Sequence, residues 1–240
     1  MKRRLLYYTI KYKADYTKIS KAIMNNEPFK NIESTCQYIT ICDADYPDRL
    51  RELVKPPYVL FYKGNIEILN DAAVSIVGSR DAIDYAIEKT KSCIMNMNDD
   101  IVIVSGLAKG IDATAHQTAL QSNRKTIAVL GCGIDYIYPY SNRDLYHTIC
   151  TSFNGLVISE FYGDLKPKPY YFPYRNRIIA ALGEKLYVMQ ASLRSGTLHT
   201  VNEALELNRE IYVLPYRTND EFGIGCNYLI QQGANIIFDN

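Results

Sequence analysis

From Ala72 onward the chain repeats one pattern, a short continuous apolar run, a small residue, and then a helical segment. Val74-Ser75-Ile76-Val77 ends at Gly78 and precedes a helical stretch from about Ala82 to Met97. Ile101-Val102-Ile103-Val104 ends at Ser105-Gly106 and precedes a helix from about Ile111 to Leu120. Thr126 to Leu130 ends at Gly131, and further runs lie at Leu156-Val157-Ile158, Leu186 to Met189, Ile211 to Leu214 and Asn235 to Phe238. Strands with one wet face alternate apolar and polar residues. Runs that are apolar throughout must be covered on both faces, as in a parallel sheet between two helical layers. Its crossovers are right-handed. The expected fold class is therefore α/β, a doubly wound, mostly parallel sheet.

Residues 1–70 read differently. They hold short helical patterns, the breakers Asp45-Tyr46-Pro47 and Pro56-Pro57, and a possible strand at Val59 to Tyr62 stopped by Gly64. They are expected to form an N-terminal extension packed on a Rossmann-like domain of residues 71–240. The first ten residues lack an apolar core and a small-residue cleavage site, so no signal peptide is expected. No stretch approaches the ~20 apolar residues of a membrane span.

The six cysteines, Cys36, Cys42, Cys93, Cys132, Cys150 and Cys226, form no C-x-x-C pair and no zinc-like cluster with histidine. They read as reduced thiols of a cytoplasmic protein, with no metal expected. Net charge is only +1, so a nucleic-acid site would be a local basic patch and not a uniformly basic surface.

In such a sheet, ligands bind outside the carboxyl ends of the strands. Four small-residue turns fall there: Gly78-Ser79-Arg80, Ser105-Gly106 with Lys109-Gly110, Gly131-Cys132-Gly133, and Ser195-Gly196-Thr197. Glycine admits an anion close to the backbone, the following helix presents free N–H groups, and Arg80 and Lys109 add charge. A single such turn is often only a tight connection. Four on one edge point to phosphate. None is a Walker A loop, and no G-x-G-x-x-G follows the first strand, so the usual modes of ATP and NAD binding are disfavoured and no cofactor is expected.

A second group, Tyr170-Tyr171-Phe172-Pro173-Tyr174-Arg175-Asn176-Arg177, interleaves rings with guanidiniums, which suits a single strand whose bases stack while its phosphates are held. The plain alternative is a loop whose rings pack inward, and with 21 tyrosines some must. Tyr138, Tyr140 and Arg143 form a weaker group of the same kind.

These segments resemble the DprA/Smf family. The resemblance is carried by Ile76 to Arg80, Ser105 to His116, Ala128 to Asp135 with Tyr138-Pro139 and Asn142, and Ser159-Glu160-Phe161. It continues through Phe172 to Ala180, Leu193 to Leu198 and Gly225 to Ala234, in order over about residues 45 to 238. It implies an extended Rossmann-like fold, single-stranded DNA binding, a homodimer, and delivery of strands to the RecA recombinase in natural transformation. On the matching positions it assigns DNA contacts to Gly78, Ser79 and Arg80; to Ser105, Gly106, Lys109 and Gly110; to Arg175, Asn176 and Arg177; and to Ser195, Gly196 and Thr197. Tyr174 and Arg143 join them from the ring–guanidinium pattern. The chain departs from the family in lacking a clear N-terminal helix-hairpin-helix signature and a winged helix before Asn240, and in having Gln190 where a glutamate is common.

Two other readings compete. The fold is similar to that of the LOG group of nucleoside-monophosphate phosphoribohydrolases, whose catalytic glutamate position is occupied here by Thr200. Glu203 lies one turn further along. No catalytic residue is expected, because threonine cannot act as a carboxylate. A sensor of a small nucleotide could use the same turns, and the Tyr170–Arg177 segment is what favours a strand over a closed pocket.

Overall fold

The computed structural model describes residues 1–238. Its apolar runs form strands of one nine-stranded sheet, in the order β1-β2-β6-β5-β4-β3-β7-β8-β9. In chain order these are β1 (Gln37–Thr40), β2 (Val59–Gly64), β3 (Ala73–Val77), β4 (Val102–Ser105), β5 (Thr126–Val129), β6 (Gly155–Ser159), β7 (Lys185–Val188), β8 (Glu210–Val213) and β9 (Asn235–Ile236). From β6 to β9 across the sheet every pairing is parallel, while β1 and β2 are antiparallel to each other and β2 is antiparallel to β6. The sheet is thus doubly wound and mostly parallel.

Strand alternation sorts the central residues between two helical layers. In β3, Val74 and Ile76 join Ala86 and Ile94 of α4 (Asp84–Met95) and Ala115 and Ala119 of α5 (Ile111–Gln121). Ala73 and Val77 join Ile178 to Leu182 of α7 (Tyr171–Leu182) and Val201 and Ala204 of α8 (Thr197–Glu206). Ser75 lies on the α7 side, where its Oγ donates to the Ile179 carbonyl at 2.6 Å. α6 (Arg143–Thr151) covers β6 on the α4–α5 side, and α9 (Ile224–Gln231) adds Cys226 and Leu229 to the α7–α8 side.

Residues 1–70 continue this sheet. α1 (Lys2–Lys11) places Leu5 and Leu6 against Val59 and Phe61 of β2, and α2 (Tyr16–Met24) is held to α1 through Tyr8, Ile19 and Ala22. Asp15 caps α2 by accepting the Lys18 N–H at 3.1 Å. The short helix α3 (Asp48–Arg51) buries Leu50 in the α7 layer.

Three strands wind outward from β3, as β4, β5 and β6. The chain then returns through α7 to β7 on the other side of β3. This reversal opens a crevice beyond the carboxyl ends of the central strands, bounded by the start of α7.

Candidate nucleic-acid interface

The turns after β3, β4 and β5 meet the first turns of α7 in one cleft of about 270 Å³, lined by Arg80, Asp81, Gly106, Ala108, Lys109, Gly131, Cys132, Tyr138, Pro139, Phe172 and Arg175. Three of the four small-residue turns are therefore neighbours.

Their glycines serve the packing of these turns on one another. A Cβ on Gly78 would stand 2.5 Å from Ile111 Cγ1, and one on Gly106 would stand 2.5 Å from Arg175 Nη1. On Gly131 it would meet Phe172 Cδ1 at 2.8 Å. Gly110 has φ +71, and its Cβ would meet the Ser79 carbonyl at 2.3 Å. Leu107, fully buried, also takes a positive φ of 58. Asn142 braces it by donating Nδ2 to the Leu107 and Ala108 carbonyls, each at 3.0 Å.

The charge is arranged in two tiers. Arg175 forms the floor, 5% exposed, with Nη1 donating to the Gly106 carbonyl at 2.7 Å and to that of Val129, and Nε donating to Asn176 Oδ1 at 3.1 Å. Arg80 and Lys109 stand exposed at the mouth, and among the described residues neither has a carboxylate within ion-pair distance. The Arg80 guanidinium lies 5.4 Å over the Phe172 ring, which in turn is 5.6 Å from that of Tyr138. The cleft offers cations for phosphate and ring faces for a base. Phe172, which carries the central ring, is the cleft residue that turn chemistry alone does not single out; its signal in the sequence is its place beside the arginines.

Two buried titratable groups lie behind the floor. Burial pushes the Asp112 carboxyl above its usual range, and the Arg175 charge opposes this only in part. Asp112 accepts the Ala108 N–H at 3.3 Å, holding the turn after β4. His116, fully buried, is pushed down to about 3, first by burial and then by the Arg175 charge, and its Nδ1 pairs with Thr126 Oγ1 at 2.7 Å.

Several expected contacts lie elsewhere. Ser105 is fully buried and spends its hydroxyl on the Ile76 carbonyl at 2.7 Å, so it is not a donor to a ligand. Ser79 folds its hydroxyl onto its own turn, with Asp81 N–H at 3.2 Å. Arg177 corrects the expectation most clearly. It is 5% exposed and forked to Glu160 by two bonds of 2.7 Å, so its charge is neutralised inside the protein. Tyr174, its ring 3.8 Å beneath the Arg177 guanidinium, faces away from the cleft. Asn176 reaches the floor only through Arg175. Arg143 is outside the cleft lining and is taken up by Asp144 at 3.2 Å and the Tyr140 hydroxyl at 2.9 Å. Ser195, Gly196 and Thr197 close their own turn at the start of α8, with Ser195 Oγ bonded to Thr197 Oγ1 at 3.0 Å, and do not line the cleft. Gln190, 2% exposed, ties the segment after β3 to the end of β7, accepting from Ile83 N–H at 3.0 Å and donating to the Asp81 carbonyl at 3.2 Å. A glutamate could not make the second bond when ionised. Thr200 is buried and Glu203 does not line the cleft.

The model of the DNA recombination-mediator protein A family matches residues 37–240. The chain belongs to this family. It is 41% identical over 198 residues to the DNA processing protein DprA of Streptococcus pneumoniae, covering 82% of this chain and 70% of that one. It is 40% identical over 222 residues to the protein Smf of a Synechocystis strain, covering 89% of this chain and 55% of that one. The chain spans between 49% and 70% of the length of the curated relatives it matches. Among solved structures, DprA from Streptococcus pneumoniae superposes with a TM-score of 0.82 at 38% identity, covering 94% of this chain and 76% of that one. DNA processing protein A from Helicobacter pylori, whose structure describes a single-stranded DNA binding mode, superposes with a TM-score of 0.77 at 33% identity, covering 87% of this chain and 94% of that one. Among the described residues, no helix is long and apolar enough to cross a membrane and no group of side chains could hold a metal ion.

Proposed function

We propose that this DprA-family chain binds single-stranded DNA in the cleft at the ends of β3, β4 and β5. The observation that carries the reading is the pair of cations, Arg80 and Lys109, unneutralised among the described residues and standing beside the half-buried Phe172 ring and the exposed Tyr138 ring over a buried Arg175. Arg80 and Lys109 take phosphates, Phe172 and Tyr138 offer ring faces to a base, and Arg175 holds the turns in register while adding its charge from below. The cleft is the crevice of a sheet edge, with no helix projecting as a major-groove reader would. Kinship with a family of recombination mediators supports a role in handing the strand to the RecA recombinase, as a cytoplasmic homodimer that binds and does not catalyse. The test is fluorescence anisotropy with a single strand and the matching duplex at one salt concentration. Tighter binding of the single strand is the expected result, and equal affinities would overturn the reading.

A further inference from the structure

The first turns of α7 border a second depression. Phe172 and Arg175 face the cleft, whereas Tyr171 and Tyr174 face a groove of about 400 Å³ between α7 and the corner joining α1 to α2. The groove concentrates charge that the chain as a whole lacks. Lys13, Lys18, Lys55 and Lys168 line it with a single carboxylate, Asp15, on a protein of net charge +1. Asp15 is already engaged, capping α2 and lying 3.3 Å from Lys18 Nζ. Among the described residues no ion pair takes up Lys13, Lys55 or Lys168. The buried hydroxyl of Tyr174 in its wall has no hydrogen-bond partner.

We infer that this groove receives the continuation of the same single strand that occupies the cleft, an inference that rests on the reading of the cleft given above. The two depressions are lined by adjacent residues of the first turn of α7, Tyr171 on the groove side and Phe172 on the cleft side, so the shortest path between them crosses the N-terminal end of this helix. There Tyr170 stands 61% exposed, with Lys168 Nζ 5.7 Å from its ring, and the first turn has no side-chain cap. A phosphate crossing that end is met by the positive end of the helix dipole and not by a cradle of amides, since Tyr171 N–H donates to the Lys168 carbonyl at 2.9 Å, Tyr174 N–H to that of Tyr170 at 3.4 Å, and Pro173 has no N–H. Beyond it the lining holds rings and cations together, with Lys168 over Tyr170 and Tyr171 on one side and Tyr12, Lys13, Tyr16 and Lys18 at the α1–α2 corner on the other, the two kinds of contact that the bases and phosphates of a strand require. An acidic peptide would use the lysines and leave the rings without a role. In this arrangement the N-terminal helices, and not only the Rossmann-like core, belong to the DNA-binding surface.

The test compares oligothymidylates of about 6 and about 20 nucleotides, short enough to fill the cleft alone and long enough to fill both. The variant K13A/K55A removes two exposed cations that lie outside the cleft, and an unchanged melting temperature verifies its fold. The expected result is unchanged affinity for the short strand, an affinity for the long strand lower by about tenfold, and a log K against log salt slope shallower by about 1.4 for two lost phosphates. Arg80→Ala, by contrast, weakens both lengths. Loss of long-strand binding only when Lys13 and Lys55 are removed supports the continuous path. Unchanged long-strand affinity and slope overturn it, and if Arg80→Ala still weakens binding then the cleft reading stands without it. Equal weakening of both lengths also overturns it, since the groove would then not be a separate segment. A double variant that loses a fluorescent poly-glutamate peptide but keeps the long strand would assign the groove to an acidic protein partner instead. If wild type binds neither strand, the cleft reading has failed, and the inference with it.

Discussion

At the mouth of the cleft the Arg80 guanidinium rests over Phe172, and among the described residues no carboxylate neutralises it, so a strand's phosphate would be its first ion-pair partner. Arg80→Ala is expected to weaken single-strand binding by roughly 1–3 kcal/mol, the scale of a charge-assisted contact. It should also flatten the log K against log salt slope by about 0.7 while leaving the melting temperature in place, because the side chain is exposed. Unchanged affinity and slope in anisotropy titrations would remove Arg80 from the site. His116 carries a prediction of a different kind. Its folded pKa is lowered from 6.5 to about 3, so between those values the unfolded chain binds a proton that the folded chain does not. Stability is therefore full above about pH 6.5 and falls as the pH drops toward 3, by up to about 1.4 kcal/mol per pH unit from this one group. Urea unfolding at pH 7 and pH 5 should show the loss, and His116→Gln should show less of it. The same acid sensitivity in both proteins would place its origin in other groups.

Among the elements, the turn after β4 and the start of α7 act as one unit, because Gly106 leaves room for a buried guanidinium that sits in the next layer. Gly106→Val would force Arg175 off the Gly106 and Val129 carbonyls. The expected cost is about 1–3 kcal/mol of stability by overpacking, together with weaker strand binding as the floor shifts. Gly196, at the start of α8, is the control. A Cβ there meets nothing within 4 Å and its φ of −58 suits any residue. Gly196→Ala should leave strand binding unchanged and raise stability by about 0.4–1 kcal/mol through the unfolded chain. Denaturant unfolding of the two variants separates the cases, and equal costs would show that the glycines of this edge share one role. The four turns look alike as sequence. Three glycines in them are fixed by neighbours from α5 and α7 that no local pattern reveals.

For the whole molecule, the sheet ends at β9, a two-residue strand paired only to β8, followed by Ile237 and Phe238, the latter 76% exposed. An apolar edge of this kind invites pairing with a second copy, and family membership supports the same expectation. Light scattering at tens of micromolar should give about twice 27.4 kDa, and a mass of one chain would remove the dimer. At the opposite edge, β1 and β2 extend the sheet from the N-terminal side. Of these only Val59 to Tyr62 of β2 was legible as a strand. β1 carries Gln37 and Thr40 among its four residues, and its pairing with β2 across the α3 segment is what makes it a strand.

The sequence by itself determined the parallel core, because an uninterrupted run such as Val102 to Val104 can only be satisfied by cover on both faces. It also determined that small residues and cations would gather at the carboxyl ends of those strands. Which of them share a cleft was decided by the winding of the chain, which brings the turns after β3, β4 and β5 against α7 and leaves Ser195 to Thr197 on α8. The arginines of α7 show why the local pattern could not suffice. Arg175 and Arg177 are two residues apart, and on a helix of about 3.6 residues per turn that spacing sends them to nearly opposite sides. One became the floor of the cleft and the other the partner of Glu160. Read as a flat run of rings and guanidiniums, the two are equivalent. Only the helix, and the buried carboxylate at the end of β6 that waits for Arg177, tells them apart.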